Sequence, residues 1–205
     1  MAVNDRRAVR TRNALKRGAL QLLAKKDISK ISVTELSELA DIGRGTFYLH
    51  YLDPYDLLDK IEDELLGEIT SHTAPVINNF DSAGLLRHLE NIWSYVYDNK
   101  ETFSVLMNPR NRGRFMEKFR RCCIESVYAG YGMNAGAEKS LSTGYDADFN
   151  VSAGAPEKNV DPTGEYSTIY IISGSLGVFE KWMENGAPVP PDELAQIVRD
   201  LITHG

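Results

Sequence analysis

SVTELSELADIGRGTFYLHYLDPYDLL, residues Ser32 to Leu58, decides how this chain folds. Ser32 and Glu35 form an S-x-x-E capping box, in which the Ser side chain takes the amide of the third residue and the Glu side chain returns to the cap, so a helix starts near Val33. Leu36, Leu39 and Ala40 recur at helical spacing. Asp41-Ile42-Gly43 then interrupts, because Asp and Gly tolerate the left-handed backbone of a tight turn. A second helix is expected from about Arg44 to Tyr51. Phe47 and Tyr51, four apart, would pack inward against Leu36 and Leu39 and leave Arg44, Thr46, Tyr48 and His50 on other faces. Asp53-Pro54 opens a third helix, with Asp as N-cap and Pro at the first helical position, where a missing amide costs nothing. The pattern is a helix-turn-helix.

The run Ala40-x-Ile42-x-Arg44-Gly45-Thr46-Phe47-Tyr48-x-His50-Tyr51, followed by Leu57-Leu58, resembles the turn, recognition helix and fourth helix of the TetR family of bacterial transcriptional regulators. Three positions depart from that family's pattern. Asp41 stands where it usually has Gly, Gly43 replaces a Ser or Thr cap, and Pro54 replaces a Lys that commonly touches a DNA phosphate. The Gly43 change should cost only a few tenths of a kcal/mol. The Pro54 change removes a phosphate contact that another residue must supply.

Charge is unevenly distributed. The formal net charge is -6, yet residues 1–52 hold ten Lys or Arg against five acids, a formal +5, which leaves -11 for the rest. This is the balance of a basic reader joined to an acidic body that repels nucleic acid. With 205 residues and 42% hydrophobic content the chain can build one or two real cores. Cys122 and Cys123 are adjacent and offer no disulfide framework, as expected for a reducing cytoplasm. No signal peptide is visible, and the most apolar run, Ile169 to Phe179, is too short to span a bilayer.

Taken in order, residues 5–26 read as a first helix whose apolar stripe, Ala8, Leu15, Ala19, Leu22 and Leu23, would cover the helix-turn-helix. Pro54 to about Thr70 is a connecting helix, Ser82 to Asn99 a broad amphipathic one, Phe103 to Met107 a short one, and Arg112 to about Tyr128 another. Residues 132–165 lose all period and read as a flexible insertion. Helix resumes from Glu165 to about Asn185, Gly186 stops it, and Pro190-Pro191-Asp192-Glu193 starts the last. The expected architecture is all-α, about nine helices: a three-helix helix-turn-helix domain over 1–52 and a helical regulatory and dimerisation body over 53–205. The last two helices resemble the TetR family's carboxy-terminal pair, through Gly174-x-x-Gly177, Lys181-Trp182 and a Gly-x-x-x-Pro linker.

Function follows from these parts. Arg44, Gly45 and Thr46 sit early on the recognition helix, where side chains reach base edges, and Arg is the natural partner of guanine's two acceptors. Tyr48 and His50 match the family's phosphate-contacting positions, Thr34 is a further contact candidate, and Arg6, Arg7, Arg10 and Arg12 would lie beside the DNA backbone. The resemblance implies a homodimer, with an interface drawn here from Ile172, Ser173, Gly174, Leu176, Gly177, Val198 and Leu201. It also implies an effector site in the body, for which Trp93, Tyr97, Phe103, Met107, Phe115, Phe119 and Tyr170 are the candidates. Arg114, Lys118 and Arg121 would suit an anionic effector if their stripe faced inward. The effector is an unknown small molecule or, alternatively, a regulatory protein; a helical interaction module without DNA binding is the remaining alternative. No cofactor, metal or membrane is expected. His50, His72, His88 and His204 are scattered, with no H-E-x-x-H, phosphate loop or nucleophile elbow, so an enzyme is not expected.

Overall fold

The computed structural model describes residues 2–73, 82–130 and 162–204. Among them the chain is all-α, with nine α-helices, one 3-10 turn and no strand. In chain order the helices are α1 (Ala2–Leu23), α2 (Val33–Leu39), α3 (Arg44–Tyr48), α4 (Pro54–Thr73), α5 (Ser82–Asp98), α6 (Lys100–Leu106), α7 (Arg112–Gly130), α8 (Pro162–Glu184) and α9 (Pro191–His204), with the 3-10 turn at Ile28–Lys30. Most of the expected 132–165 insertion lies outside the described residues. Its last four residues, however, are the first turn of α8, which starts with Pro162 at a position where proline fits. None of the described helices is long and apolar enough to cross a membrane.

The structure divides into two compact units, residues 1–69 with 95–117, and 70–94 with 118–205. In the first, the expected capping box forms: Ser32 Oγ accepts from the Glu35 amide at 3.2 Å, and the Glu35 carboxylate accepts from the Ser32 amide at 3.0 Å. Helix α2 ends in a Schellman turn. The Ile42 amide donates to the Ser37 carbonyl (3.0 Å) and the Asp41 amide to the Glu38 carbonyl (3.2 Å), with Asp41 itself left-handed at φ 52°. Gly43, by contrast, sits at φ -72° and caps α3 with no side-chain bond. The position that needs left-handed backbone is therefore the one carrying Asp.

Two expectations for this region are corrected. Helix α3 stops at Tyr48, not Tyr51, because the Leu49 and His50 amides bond three residues back, to Thr46 and Phe47, and the Leu52 amide is taken by the Asp56 carboxylate at 2.9 Å. Leu39 does not point inward with Leu36: it is half exposed, lying against Gly18 of α1, where an added Cβ would come within 3.3 Å of the Leu39 Cβ. Phe47, Leu15, Leu23, Leu36, Leu57 and Leu58 form the core beneath. Asp53 caps α4 as expected, its carboxylate accepting from the Asp56 amide at 2.9 Å.

The unit is extended by α6 and the start of α7. Asn108, in the turn between them, donates from Nδ2 to the Leu23 carbonyl at 3.0 Å and so satisfies an open carbonyl at the end of α1. Arg114 of α7 reaches α4, where it pairs with Asp59 and donates from Nη1 to Glu62 at 3.0 Å. Glu62 is buried, so this basic side chain is engaged by carboxylates of its own unit. Arg121, further along α7, pairs with Glu125 at 3.7 Å.

In the second unit α8 and α9 pack together. Helix α8 closes in another Schellman turn, with the Ala187 amide on the Trp182 carbonyl (2.8 Å), the Gly186 amide on Met183 (3.0 Å) and Gly186 at φ 78°. The Trp182 indole then donates to the Val189 carbonyl at 3.0 Å, fixing the linker into α9, whose Leu194, Ala195 and Val198 are buried. Trp93 meets Trp182 edge to face at 5.6 Å and Phe119 meets Phe179 at 5.3 Å. Burial, with Cys122 beside it, pushes the Cys123 thiol up to about 12, which makes it a packing group and a poor nucleophile near neutral pH.

The turn provides a stability test. Asp41→Gly removes the Cβ clash of a left-handed residue and should raise the unfolding free energy by about 1 kcal/mol. Asp41→Ala should lower it. Denaturant midpoints of the three proteins check both signs.

Candidate nucleic-acid interface

The candidate interface is built around Phe47. Its ring is fully buried, with Tyr51 tilted against it at 5.9 Å and Tyr48 edge-on at 5.5 Å. Burying a Phe contributes about 3 to 5 kcal/mol by the cost of truncating one, enough to fix the rotation of a helix of only five residues. With Phe47 facing the core, Arg44, Gly45 and Tyr48 are exposed, and Thr46 and His50 are half-buried. A Cβ on Gly45 would meet nothing within 4 Å, so the chain's own packing does not require glycine there. Thr34 is exposed in the first turn of α2.

Helix α2 is oriented from its N-terminus. Glu35 accepts from Lys26 Nζ at 2.5 Å as well as from Ser32, and the Lys26 ammonium, then the Ser32 bonds, hold its carboxyl down at about 2. Along α1, Arg10 and Arg17 line an open cleft of about 370 Å³ with Thr11, Asn13 and Ala14, facing Ala40 and Ile42 of the turn. The sequence reading included Arg10 and missed Arg17. Their spacing of seven, two helical turns, was the signal that could have found it. Arg6 and Arg7 are exposed on the same helix. Among the described residues no group of His, Cys, Asp and Glu is placed to hold a metal ion.

The other expected sites are placed as follows. Tyr97, Phe103, Met107 and Phe115 fall in the first unit and Trp93, Phe119 and Tyr170 in the second. Phe103 and Phe115 stack edge to face at 6.0 Å, Lys100 lies 4.2 Å over the Tyr97 ring, and Met107 is half-buried. Tyr170 is exposed, away from the buried rings of its unit. Trp93 is buried, and its indole N–H finds no acceptor among the described residues. Of the expected interface residues, Ile172, Leu176 and Val198 are buried within the chain itself, and Ser173 lies 3.5 Å from Arg120 Nη1. Gly174, Gly177 and Leu201 are exposed. Tyr166 and Tyr170 precede the two glycines on the same face of α8, and Ile197 is exposed one turn before Leu201 on α9.

Comparison with known proteins bears on this arrangement. Residues 145–204 match a TetR family model described as a transcriptional regulator C-terminal region. The chain is 22% identical over 192 residues to the uncharacterized HTH-type transcriptional regulator YxbF of Bacillus subtilis (strain 168), a match covering 92% of this chain and 44% of that protein. It thus spans less than half the length of that relative. Among solved structures, a TetR transcriptional regulator from Streptococcus agalactiae 2603V superposes with a TM-score of 0.61 at 20% identity, covering 98% of this chain and 97% of the other. The transcriptional regulator FadR from Bacillus subtilis, in complex with stearoyl-CoA, gives 0.58 at 13% identity, covering 94% and 97%. The fold is that of the TetR-family regulators.

The clamp on α2 has a pH signature. Because the folded Glu35 carboxyl is held at about 2 against an ordinary 4.5, its contribution is present above 4.5 and is lost as pH falls through about 2. Glu35→Gln removes that charge. The stability gap between wild type and Glu35→Gln should be open near neutral pH and close between those two values; a gap constant across them would show that the charge is not what holds the cap.

Proposed function

We propose that this chain, which carries the TetR-regulator fold along its length, is a homodimeric repressor that binds a near-palindromic operator and is released by a ligand held in its helical body. The observation that carries the proposal is the reading head: a buried Phe47 turns Arg44, Gly45 and Tyr48 outward together, beside a basic α1, on a chain whose remainder is acidic. Arg44 is the base-reading residue, suited to the two acceptors of a guanine. Thr46 adds a hydroxyl early on the same helix, and Gly45 lets the backbone come close to the groove. Tyr48, His50, Thr34 and the arginines of α1 neutralise or bond phosphates, which fixes register without reading sequence. Arg10 and Arg17, two turns apart in one cleft, supply the cation that Pro54 does not.

Dimerisation is assigned to the exposed face of α8 and α9. Neither Gly174 nor Gly177 is needed by internal packing, since a Cβ on either meets nothing within 4 Å. Tyr166, Tyr170, Ile197 and Leu201 put large apolar area on solvent around them, area that a second copy would cover. Dimer symmetry then sets two recognition helices one DNA turn apart. For the effector, the buried Trp93 N–H, which has no acceptor among the described residues, offers a donor to a carbonyl or carboxylate. The structural relative bound to stearoyl-CoA makes an acyl compound the first to try.

Selection of binding sites from random duplex DNA tests the reading directly. A near-palindrome should be enriched, with affinity falling steeply as salt rises. Arg44→Ala should cost about 1 to 3 kcal/mol and relax one base per half-site, whereas Tyr48→Phe should weaken all sites alike. Equal affinity for selected and random duplexes would overturn the assignment. Separately, Gly174→Leu should overpack the interface by about 1 to 3 kcal/mol and shift the sedimentation equilibrium toward monomer. An unchanged dimer would move the interface elsewhere.

A further inference from the structure

Leu49 is the residue of the reading head that the DNA-binding assignment leaves without a role. It follows Tyr48 directly, keeps helical backbone angles (φ -73°, ψ -17°) as the C-cap of α3, and is 82% exposed. Single exposed leucines are ordinary, but this one belongs to a cluster. Tyr48, Leu49, Leu52 and Tyr55, four large apolar side chains within eight residues, are 54%, 82%, 79% and 45% exposed. Of the four, Tyr48 ends α3 and Leu49 caps it with helical backbone angles, four residues after the open Gly45. A side chain four residues from Gly45 lies over the same face of the helix, one turn further on.

Apolar surface on a helix that enters a major groove has one apolar partner there, the 5-methyl group of thymine. Resting on the DNA-binding reading above, we propose that Leu49 is a specificity residue that packs on a thymine methyl in each half-site, at a base pair other than the one read by Arg44. The two contacts divide the work by chemistry. The guanidinium bonds acceptors and rejects a base that lacks them; the isobutyl group makes no hydrogen bond and distinguishes thymine from cytosine, which has no methyl.

The test removes that methyl alone. In the duplex enriched from random DNA, each thymine of a half-site is replaced in turn by deoxyuridine, which keeps every hydrogen bond, and affinity is measured for wild type and Leu49→Ala. Wild type should lose about three- to fivefold per half-site at one thymine position, the scale of one methyl group returned to water. Leu49→Ala should bind the thymine and deoxyuridine duplexes equally at that position, with its thermal unfolding unchanged because the side chain is exposed. An enriched site at which no deoxyuridine matters to wild type, or at which the loss persists in Leu49→Ala, overturns this inference and leaves the DNA-binding reading intact. Failure to enrich any sequence overturns both. If Leu49 instead contacts a protein, the variant will bind the selected duplex as wild type does, deoxyuridine penalty included, which also overturns the assignment.

Discussion

The outward face of α3 depends on one strained turn. Between α2 and α3 the chain must reverse within three residues while satisfying the carbonyls that α2 leaves open, and the Schellman pair from Asp41 and Ile42 to Glu38 and Ser37 does both. The geometry demands a left-handed residue, and here that residue is Asp at φ 52°. A helix as short as α3 has almost no stability of its own. Its direction comes from that turn and its rotation from Phe47, so the outward set of Arg44, Gly45, Tyr48 and Leu49 is a tertiary product of a turn and a buried ring.

Much of this was legible in the sequence because the signals are local. A capping box, an Asp-Pro helix start and a Phe-x-x-x-Tyr spacing each specify geometry within four residues, and the structure carries all three. The end of α3 was not legible, since it turns on the Leu52 amide being captured by Asp56 across the helix boundary. Nor was the exposure of Leu39, whose periodicity is that of a core residue. Its Cβ lies close over Gly18, twenty-one residues upstream, a contact that helical period does not reveal.

The site residues divide along the same line. Those on α3 follow from period alone once Phe47 is inward. Aromatic count in the body does not separate core from cavity: Phe103, Phe115 and Phe119 each meet another Phe and Trp93 meets Trp182, and the open Trp93 N–H among the described residues is a detail that hydropathy does not register. On α8, a stripe drawn through Ile172 and Leu176 ran along the buried side, and the glycines lay on the other. Helical spacing identifies a face; it does not say whether the chain or a second molecule covers it.

The junction of Arg114 with Asp59 and Glu62 has a mechanical consequence. The two carboxylates are three residues apart, so they sit one turn apart on a single side of α4, the helix that follows α3. One guanidinium bridging both carboxylates therefore cross-links α4 to the start of α7 within a single unit, across 52 and 55 residues of chain.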